Sequence, residues 1–330
     1  MGQTGRTGQV GQQVGKEKNF ISCVVYLHND EAVVRNFLDN ICGIMQENFE
    51  KYEIICVNDG CTDGTVEEIH EFLEQMEASG GKTRSVSLIN LSFYQGVETA
   101  MSAGGDLAVG DFLFEFDRCC LDFEPGLIMD VYRRALEGYD VVSAAPKRGV
   151  SFSSRLFYAL YNWSSHFRYR IRQERFRVVS RRAVNRVNQM NVYVPYRKVM
   201  YMNCGLKTDT LVYDNKDTVK RARNREEQGS RSGLAVDTLI IFTDVLEKFS
   251  LWVSVILLGF MVMMFFWIIY SIFSTVRPVE GWMSLMALMS FGFFMLSVML
   301  TLIFKYLSVI LNMSFRKQRY VVEGVEKLTK

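Results

Sequence analysis

Apolar positions along residues 20–136 switch repeatedly between an alternating and a helical period. Ile21–Leu27 is a β-rich run, and Glu31–Met45 carries a helical pattern. The same exchange recurs three times: strand Glu53–Val57 with helix Thr65–Gln75, strand Val86–Asn90 with helix Gly96–Leu107, and strand Phe112–Phe116 with helix Pro125–Leu136. Strands alternating with helices of ten to fifteen residues predict a mostly parallel α/β sheet with ligands at the carboxyl ends of its strands. The C-terminal third follows a different rule. No charged residue occurs from Phe249 through Val276 or from Gly281 through Phe304, stretches of 28 and 24 residues. A membrane helix needs only about 20. Arg277-Pro278-Val279-Glu280 between them allows a turn and no domain, so the pattern predicts a transmembrane hairpin with both outer ends on one side. Upstream, Leu234, Leu239, Ile240, Val245 and Leu246 alternate with Asp237, Thr238, Asp244 and Glu247. That suits either an amphipathic helix on the membrane surface or a plain helical connector.

These patterns divide the chain into five parts. Residues 1–19, with glycines at 2, 5, 8, 11 and 15 and no apolar period, are expected to be a disordered tail. Residues 20–213 form the α/β domain, 214–248 a juxtamembrane segment, 249–315 the hairpin and 316–330 a second tail. Lys+Arg minus Asp+Glu is 38 − 36 = +2, so no charge excess points to nucleic acid. Lysine and arginine follow the hairpin at Arg316, Lys317, Arg319, Lys327 and Lys330, while its linker has only Arg277. Positive residues stay inside, which places tail and domain in the cytoplasm. Seven cysteines, odd in number and without a CxxC pair, fit reduced thiols in that compartment.

Polar clusters fall at the predicted strand ends. His28-Asn29-Asp30-Glu31 follows the first strand and Asn58-Asp59-Gly60-Cys61-Thr62-Asp63-Gly64-Thr65 the second. Asp117 follows the fourth, with Asp122 and Glu124 close behind. Such acidic and amide groups suit a base, a ribose and a Mg²⁺ or Mn²⁺ ion on a diphosphate. The second cluster reads equally as a tight turn with a helix cap. No GxGxxG follows the first strand and no GxxxxGK[ST] exists, which argues against a dinucleotide fold or a phosphate loop. His28, His70 and His166 are too scattered for a triad. Between Arg168 and Arg186 eight arginines face one acid, Glu174. Arginine forks suit phosphate, either on a ligand or on anionic headgroups.

The run Val24-Val25-Tyr26-Leu27-His28-Asn29-Asp30-Glu31 resembles the opening of glycosyltransferase family 2, and Val57–Thr65 is similar to its V-[DN]-D-G-S-x-D-G-T signature. Leu91-Ser92, Gly96, Glu98, Ala100, Ala103-Gly104, Ala108 and Gly110-Asp111 follow its next pattern in register. Ser154–Tyr158, Phe176-Arg177, Ser180-Arg181-Arg182 and Gly205–Thr208 resemble one branch, the polyisoprenyl-phosphate glycosyltransferases, whose bacterial members carry two C-terminal membrane helices. The resemblance implies a GT-A type, Rossmann-like domain. It also implies inverting transfer of a sugar from a nucleotide-sugar donor to a polyprenyl phosphate in the cytoplasmic leaflet of a bacterial inner membrane, with a homo-oligomer compatible. Carried onto this chain, it assigns the nucleotide to Asn29, Glu31, Asn58, Asp59 and Asp117. It assigns the acceptor phosphate to Arg155, Arg177 and Arg181. Metal binding and catalysis fall to Asp117 with Asp122.

The family usually has Asp-x-Asp after the fourth strand, and here Asp117 is followed by Arg118 and Cys119. A thiol is a poor ligand for a hard cation. Three explanations stay open: metal held by Asp117 and Asp122, arginine in place of metal, or a catalytically impaired scaffold. Transfer to the hydroxyl of a lipid-linked sugar in polysaccharide assembly is the alternative reaction, with Asp122 or Glu124 as its base.

Overall fold

The computed structural model describes residues 15–78, 85–147, 158–159, 161–162, 172–189, 196–215 and 320–328, with scattered positions between 252 and 310. The strands are β1 (Glu17–Leu27), β2 (Phe49–Asn58), β3 (Val86–Leu91), β4 (Phe112–Phe116), β5 (Val141–Pro146), β6 (Phe176–Ser180), β7 (Thr208–Tyr213) and β8 (Val322–Lys327). The helices are α1 (Glu31–Asn48), α2 (Thr65–Ala78), α3 (Val97–Leu107), α4 (Gly126–Leu136), α5 (Arg181–Gln189) and α6 (Arg197–Asn203). One eight-stranded sheet runs in the order β7-β5-β6-β4-β1-β2-β3-β8. Its centre, β3-β2-β1-β4, is parallel, whereas β6 inserts antiparallel between β4 and β5 and β8 adds antiparallel outside β3.

Alternation within the central strands fills both faces of the sheet. Cys23, Val25 and Leu27 of β1 with Ile54 and Cys56 of β2 face the side covered by α1, α2 and α4. Val24 and Tyr26 with Ile55 and Val57 face α3 and α5. Helix α1 buries Val34, Phe37, Leu38, Ile41, Cys42 and Met45, a single stripe at helical spacing. On the other face α3 comes close enough to the sheet that a Cβ on Gly104 would lie 2.9 Å from Val57 Cγ2 and closer still to Val24. Replacing Gly104 with valine is therefore expected to destabilise the domain by about 3 kcal/mol, read as a lowered melting temperature of the purified chain.

β1 begins at Glu17, so the disordered tail expected over 1–19 is corrected at its inner end. Glu17 pairs with Phe49, and Asn19 Nδ2 donates to the Tyr132 hydroxyl at 2.7 Å. Residues 1–14, the juxtamembrane pattern over 234–247 and most of the expected hairpin lie outside the described residues. Among the described residues no helix is long and apolar enough to cross a membrane.

The chain leaves β1 toward β2 and β3 on one side and then places β4 on the other. The crevice beyond the carboxyl ends of β1 and β4 is the topological switch point, where open α/β sheets bind ligands.

Candidate active site

The first two strand-end clusters are knitted to each other. Asn29, at φ 55°, accepts from the Thr62 amide at 2.8 Å, and its own amide donates to Cys61 Sγ. Glu31 Oε2 accepts from the Gly64 amide at 3.1 Å. Asn58 Oδ1 accepts from the Cys61 amide, while its Nδ2 donates to Asn90 Oδ1 at 2.9 Å across the β2–β3 pair. Gly60 has φ 62°, and a Cβ there would lie 2.8 Å from the Tyr94 amide nitrogen. The turn-and-cap reading and the site reading thus describe the same residues. Their bonds hold Asn29, Glu31 and Asn58 at one rim, with Glu31 exposed.

Asp59 differs from its neighbours. It is fully buried, and its carboxylate accepts from the Gln95 amide at 2.6 Å, the Gly96 amide at 2.8 Å and the Tyr26 hydroxyl at 3.0 Å. Burial pushes its pKa up despite those bonds. Its role is to hold the 92–96 loop, and that loop is also gripped from outside. The Gln95 side chain donates to Val321 O at 2.6 Å and accepts from the Val321 amide at 3.0 Å, just before β8.

Asp117 sits at the end of β4 among opposite charges. Because β6 runs antiparallel to β4, Arg177 falls opposite Glu115 in the register. Its guanidinium reaches Asp117 Oδ2 at 2.5 Å, Glu115 at 3.5 Å and Glu174 at 3.6 Å. From the start of α6, Arg197 reaches Asp117 Oδ1 at 2.9 Å, Glu98 at 3.1 Å and Glu115 at 3.2 Å. Lys198 pairs with Glu174 at 3.1 Å, and the Tyr201 hydroxyl donates to Glu115 at 2.8 Å. Four acids and three bases therefore form one buried network. Burial opposes the charge on Arg177, but Asp117, Glu115 and Glu174 outweigh it and hold the guanidinium well above its usual pKa. Burial raises the Glu98 carboxyl, against the pull of Arg197. Burial also lowers Lys198, partly offset by Glu174.

Several expected roles are corrected by this geometry. Asp122 does not join Asp117. It is buried, with Oδ2 held by Arg175 Nε at 2.7 Å and Oδ1 by the Tyr213 hydroxyl at 2.8 Å. Arg177 is 2% exposed and committed to three acids, which leaves it no open face for a lipid phosphate. Arg181 is not contradicted, since its Nε donates to Gly110 O at 2.9 Å while its Nη2 makes no hydrogen bond among the described residues. Arg155 lies outside the described residues. Arg182 and Arg186, also expected at headgroups or acceptor, bond to Asp140 and to Cys204 O.

A divalent cation does not fit the donor set of the described residues. Both Asp117 oxygens already carry a guanidinium. Cys119, at the second position of the family motif, is 7% exposed and sits in the apolar cluster, its thiol 3.7 Å from Tyr26 O. Among the described residues no three His, Cys, Asp or Glu side chains are placed to hold a metal ion.

The order of strands defines an α/β protein with a crevice at its switch point, beyond the ends of β1 and β4. The sequence profile described as Glycosyl transferase family 2 matches residues 22–189, half of the chain, and the chain belongs to that family. It is 23% identical over 316 residues to an uncharacterized glycosyltransferase of Bacillus subtilis, covering 92% of this chain and 94% of that one. It is 26% identical over 200 residues to an uncharacterized glycosyltransferase of Synechocystis, covering 59% of this chain. The matched part spans only 60% of that relative's length. An undecaprenyl-phosphate 4-deoxy-4-formamido-L-arabinose transferase of Aeromonas hydrophila is 30% identical over 122 residues, 37% of this chain and 35% of that one.

Proposed function

We propose that the protein is a membrane-anchored inverting glycosyltransferase that moves one sugar from a nucleotide-sugar donor to a polyprenyl phosphate. The observation that carries this reading is the gathering of the Asn29–Glu31, Asn58–Asp63 and Asp117 groups at the switch point of the sheet. In the reaction, an acceptor phosphate oxygen bonds to the anomeric carbon as the bond from that carbon to the donor diphosphate breaks. The nucleotide diphosphate leaves and the configuration inverts. A phosphate oxygen is already ionised at neutral pH, so the chain has to position the donor diphosphate and the acceptor phosphate and needs no strong base.

The alternative hydroxyl acceptor does need a base. Asp122 is withdrawn from that task by Arg175 and Tyr213, which leaves the exposed Glu124 as the one base of the two still open. The named activity of the Aeromonas relative points to the phosphate.

Two observations support the membrane anchor. Trp252, Phe266, Leu285, Leu296, Ile303 and Ile310 are each more than half exposed, an apolar surface that suits lipid tails better than water. Further, β7 ends at Tyr213 and β8 begins at Val322, both in one sheet. Whatever spans lie between them must cross an even number of times, as a hairpin does.

The test incubates the detergent-solubilised chain with labelled UDP- and GDP-sugars and undecaprenyl phosphate, with and without Mn²⁺. Label moving into a lipid-phosphate product is expected with one donor. No lipid-linked product from any donor would overturn the reading.

A further inference from the structure

We propose that Arg177 and Arg197 stand on Asp117 where the family motif would place a divalent cation, so that the donor's diphosphate binds without metal. This rests on the nucleotide-sugar reading above. The two guanidiniums take opposite oxygens of one carboxylate, Nη2 of Arg177 on Oδ2 at 2.5 Å and Nη2 of Arg197 on Oδ1 at 2.9 Å. A Mg²⁺ or Mn²⁺ ion on Asp117 would have to evict both or lie against two positive charges. Hard cations of this kind ask for several oxygen ligands, and Asp117 is the only acid of the network with appreciable exposure, its side chain 22% accessible.

The arginines are not free to leave. Arg177 is shared with Glu115 and Glu174, and Arg197 with Glu98 and Glu115, all at 3.6 Å or less. Withdrawing either would strand buried carboxylates without a counter-charge, which costs more than a surface pair could return. The remaining candidates for a second ligand also point elsewhere, Cys119 into the apolar core and Asp122 to Arg175.

The network supplies the positive charge that a cation would otherwise bring. Nη1 of Arg177 is buried and makes no hydrogen bond among the described residues, whereas Nη1 of Arg197 lies 3.2 Å from Glu115. Guanidiniums carry fixed charge that no chelator removes. The same two residues thus counter Asp117 and hold fixed positive charge behind it at the β4 end, where it acts on a diphosphate through its field and not by contact. Asp117 becomes a counter-ion to arginine rather than a metal ligand.

The two roles predict opposite responses. Binding of UDP and of GDP to the full-length protein in detergent is measured by calorimetry in EDTA and again in MnCl₂, with Mn²⁺ itself followed by electron paramagnetic resonance. One nucleotide is expected to bind with the same affinity in both buffers, within about twofold, and no stoichiometric Mn²⁺ is expected on the protein. Asp117→Asn, which releases both guanidiniums from a competing carboxylate, is expected to tighten nucleotide binding in EDTA by roughly three- to tenfold. Binding that appears only with Mn²⁺, or Mn²⁺ held stoichiometrically by the natural chain, would overturn the proposal. So would a weaker nucleotide affinity in an Asp117→Asn protein that melts at the natural temperature. Binding of neither nucleotide in either buffer would instead remove the nucleotide-sugar reading on which the proposal stands.

Discussion

Arg177→Met is expected to destabilise the domain by about 3–5 kcal/mol, read as a fall in the denaturation midpoint of the purified chain. The side chain is 2% exposed and is the shared counter-charge of Glu115, Asp117 and Glu174. Methionine fills much of its volume, so the loss measures charge rather than a cavity. Without Arg177, three buried acids and the partly exposed Asp117 face only Arg197 and Lys198. The stranded carboxylates respond by holding protons more tightly in the folded state than in the unfolded one. Their folded pKa values then lie above the unfolded ones, so the variant is most stable at low pH and loses stability as pH rises through the folded values. The gap from the natural protein should therefore narrow when the measurement moves from about pH 8 to about pH 5.5. Adding Glu115→Leu removes the cross-strand acid that Arg177 opposes, and it should recover part of the loss through a coupling of about 0.5–3 kcal/mol. A gap constant with pH, or a double variant equal to the sum of its parts, would show that Arg177 contributes packing alone.

The first half of the fold was open to reading because its signals are local. Phe112–Phe116 has the bounds its alternation predicts, and α1, α2, α3 and α4 start within a residue of their expected positions. Their apolar stripes and the Asp-Gly turns between them are written in a few adjacent residues. β5, β6, β7 and β8 have no comparable punctuation, and each is defined by a partner far along the chain. β8 pairs with β3 from beyond the apolar stretches, and β6 inserts between strands formed before it. The site divides in the same way. The Asn29, Glu31, Asn58 and Asp117 clusters follow their strands directly. Arg197, Lys198 and Glu174 read as ordinary charged residues until the fold buries them. One signal was present. Glu115 lies inside the apolar run Phe-Leu-Phe-Glu-Phe, and Arg177 inside Phe-Arg-Val-Val. A lone acid and a lone base in two apolar strands invite each other as cross-strand partners. The arginine-rich segment was misleading because its composition suggests a surface, while Arg175 and Arg177 turn inward to Asp122 and Asp117.

Asp59→Ala is expected to remove measurable nucleotide binding and to destabilise the domain by about 3–5 kcal/mol, since truncation strands the buried donors that its carboxylate receives. Those donors are the Gln95 and Gly96 amides and the Tyr26 hydroxyl. Two of them belong to the loop leading into α3, so the loss falls on the position of residues 92–96 as well as on stability. Asp59→Asn retains one acceptor oxygen and discards a charge that burial already disfavours. It should lose less than the alanine variant in both measurements. Gln95→Ala supplies the contrast, because it keeps the amide-to-Asp59 bonds and cuts only the two bonds to Val321. Its expected cost is about 1 kcal/mol, with a modest weakening of nucleotide binding and earlier proteolytic cleavage near Val321. The ordering of alanine at 59, asparagine at 59 and alanine at 95, measured by nucleotide calorimetry and thermal melting together, separates the two grips on the loop. If Asp59→Ala binds nucleotide as the natural chain does, the loop is held by the tail strand through Gln95, and the buried carboxylate serves the core alone.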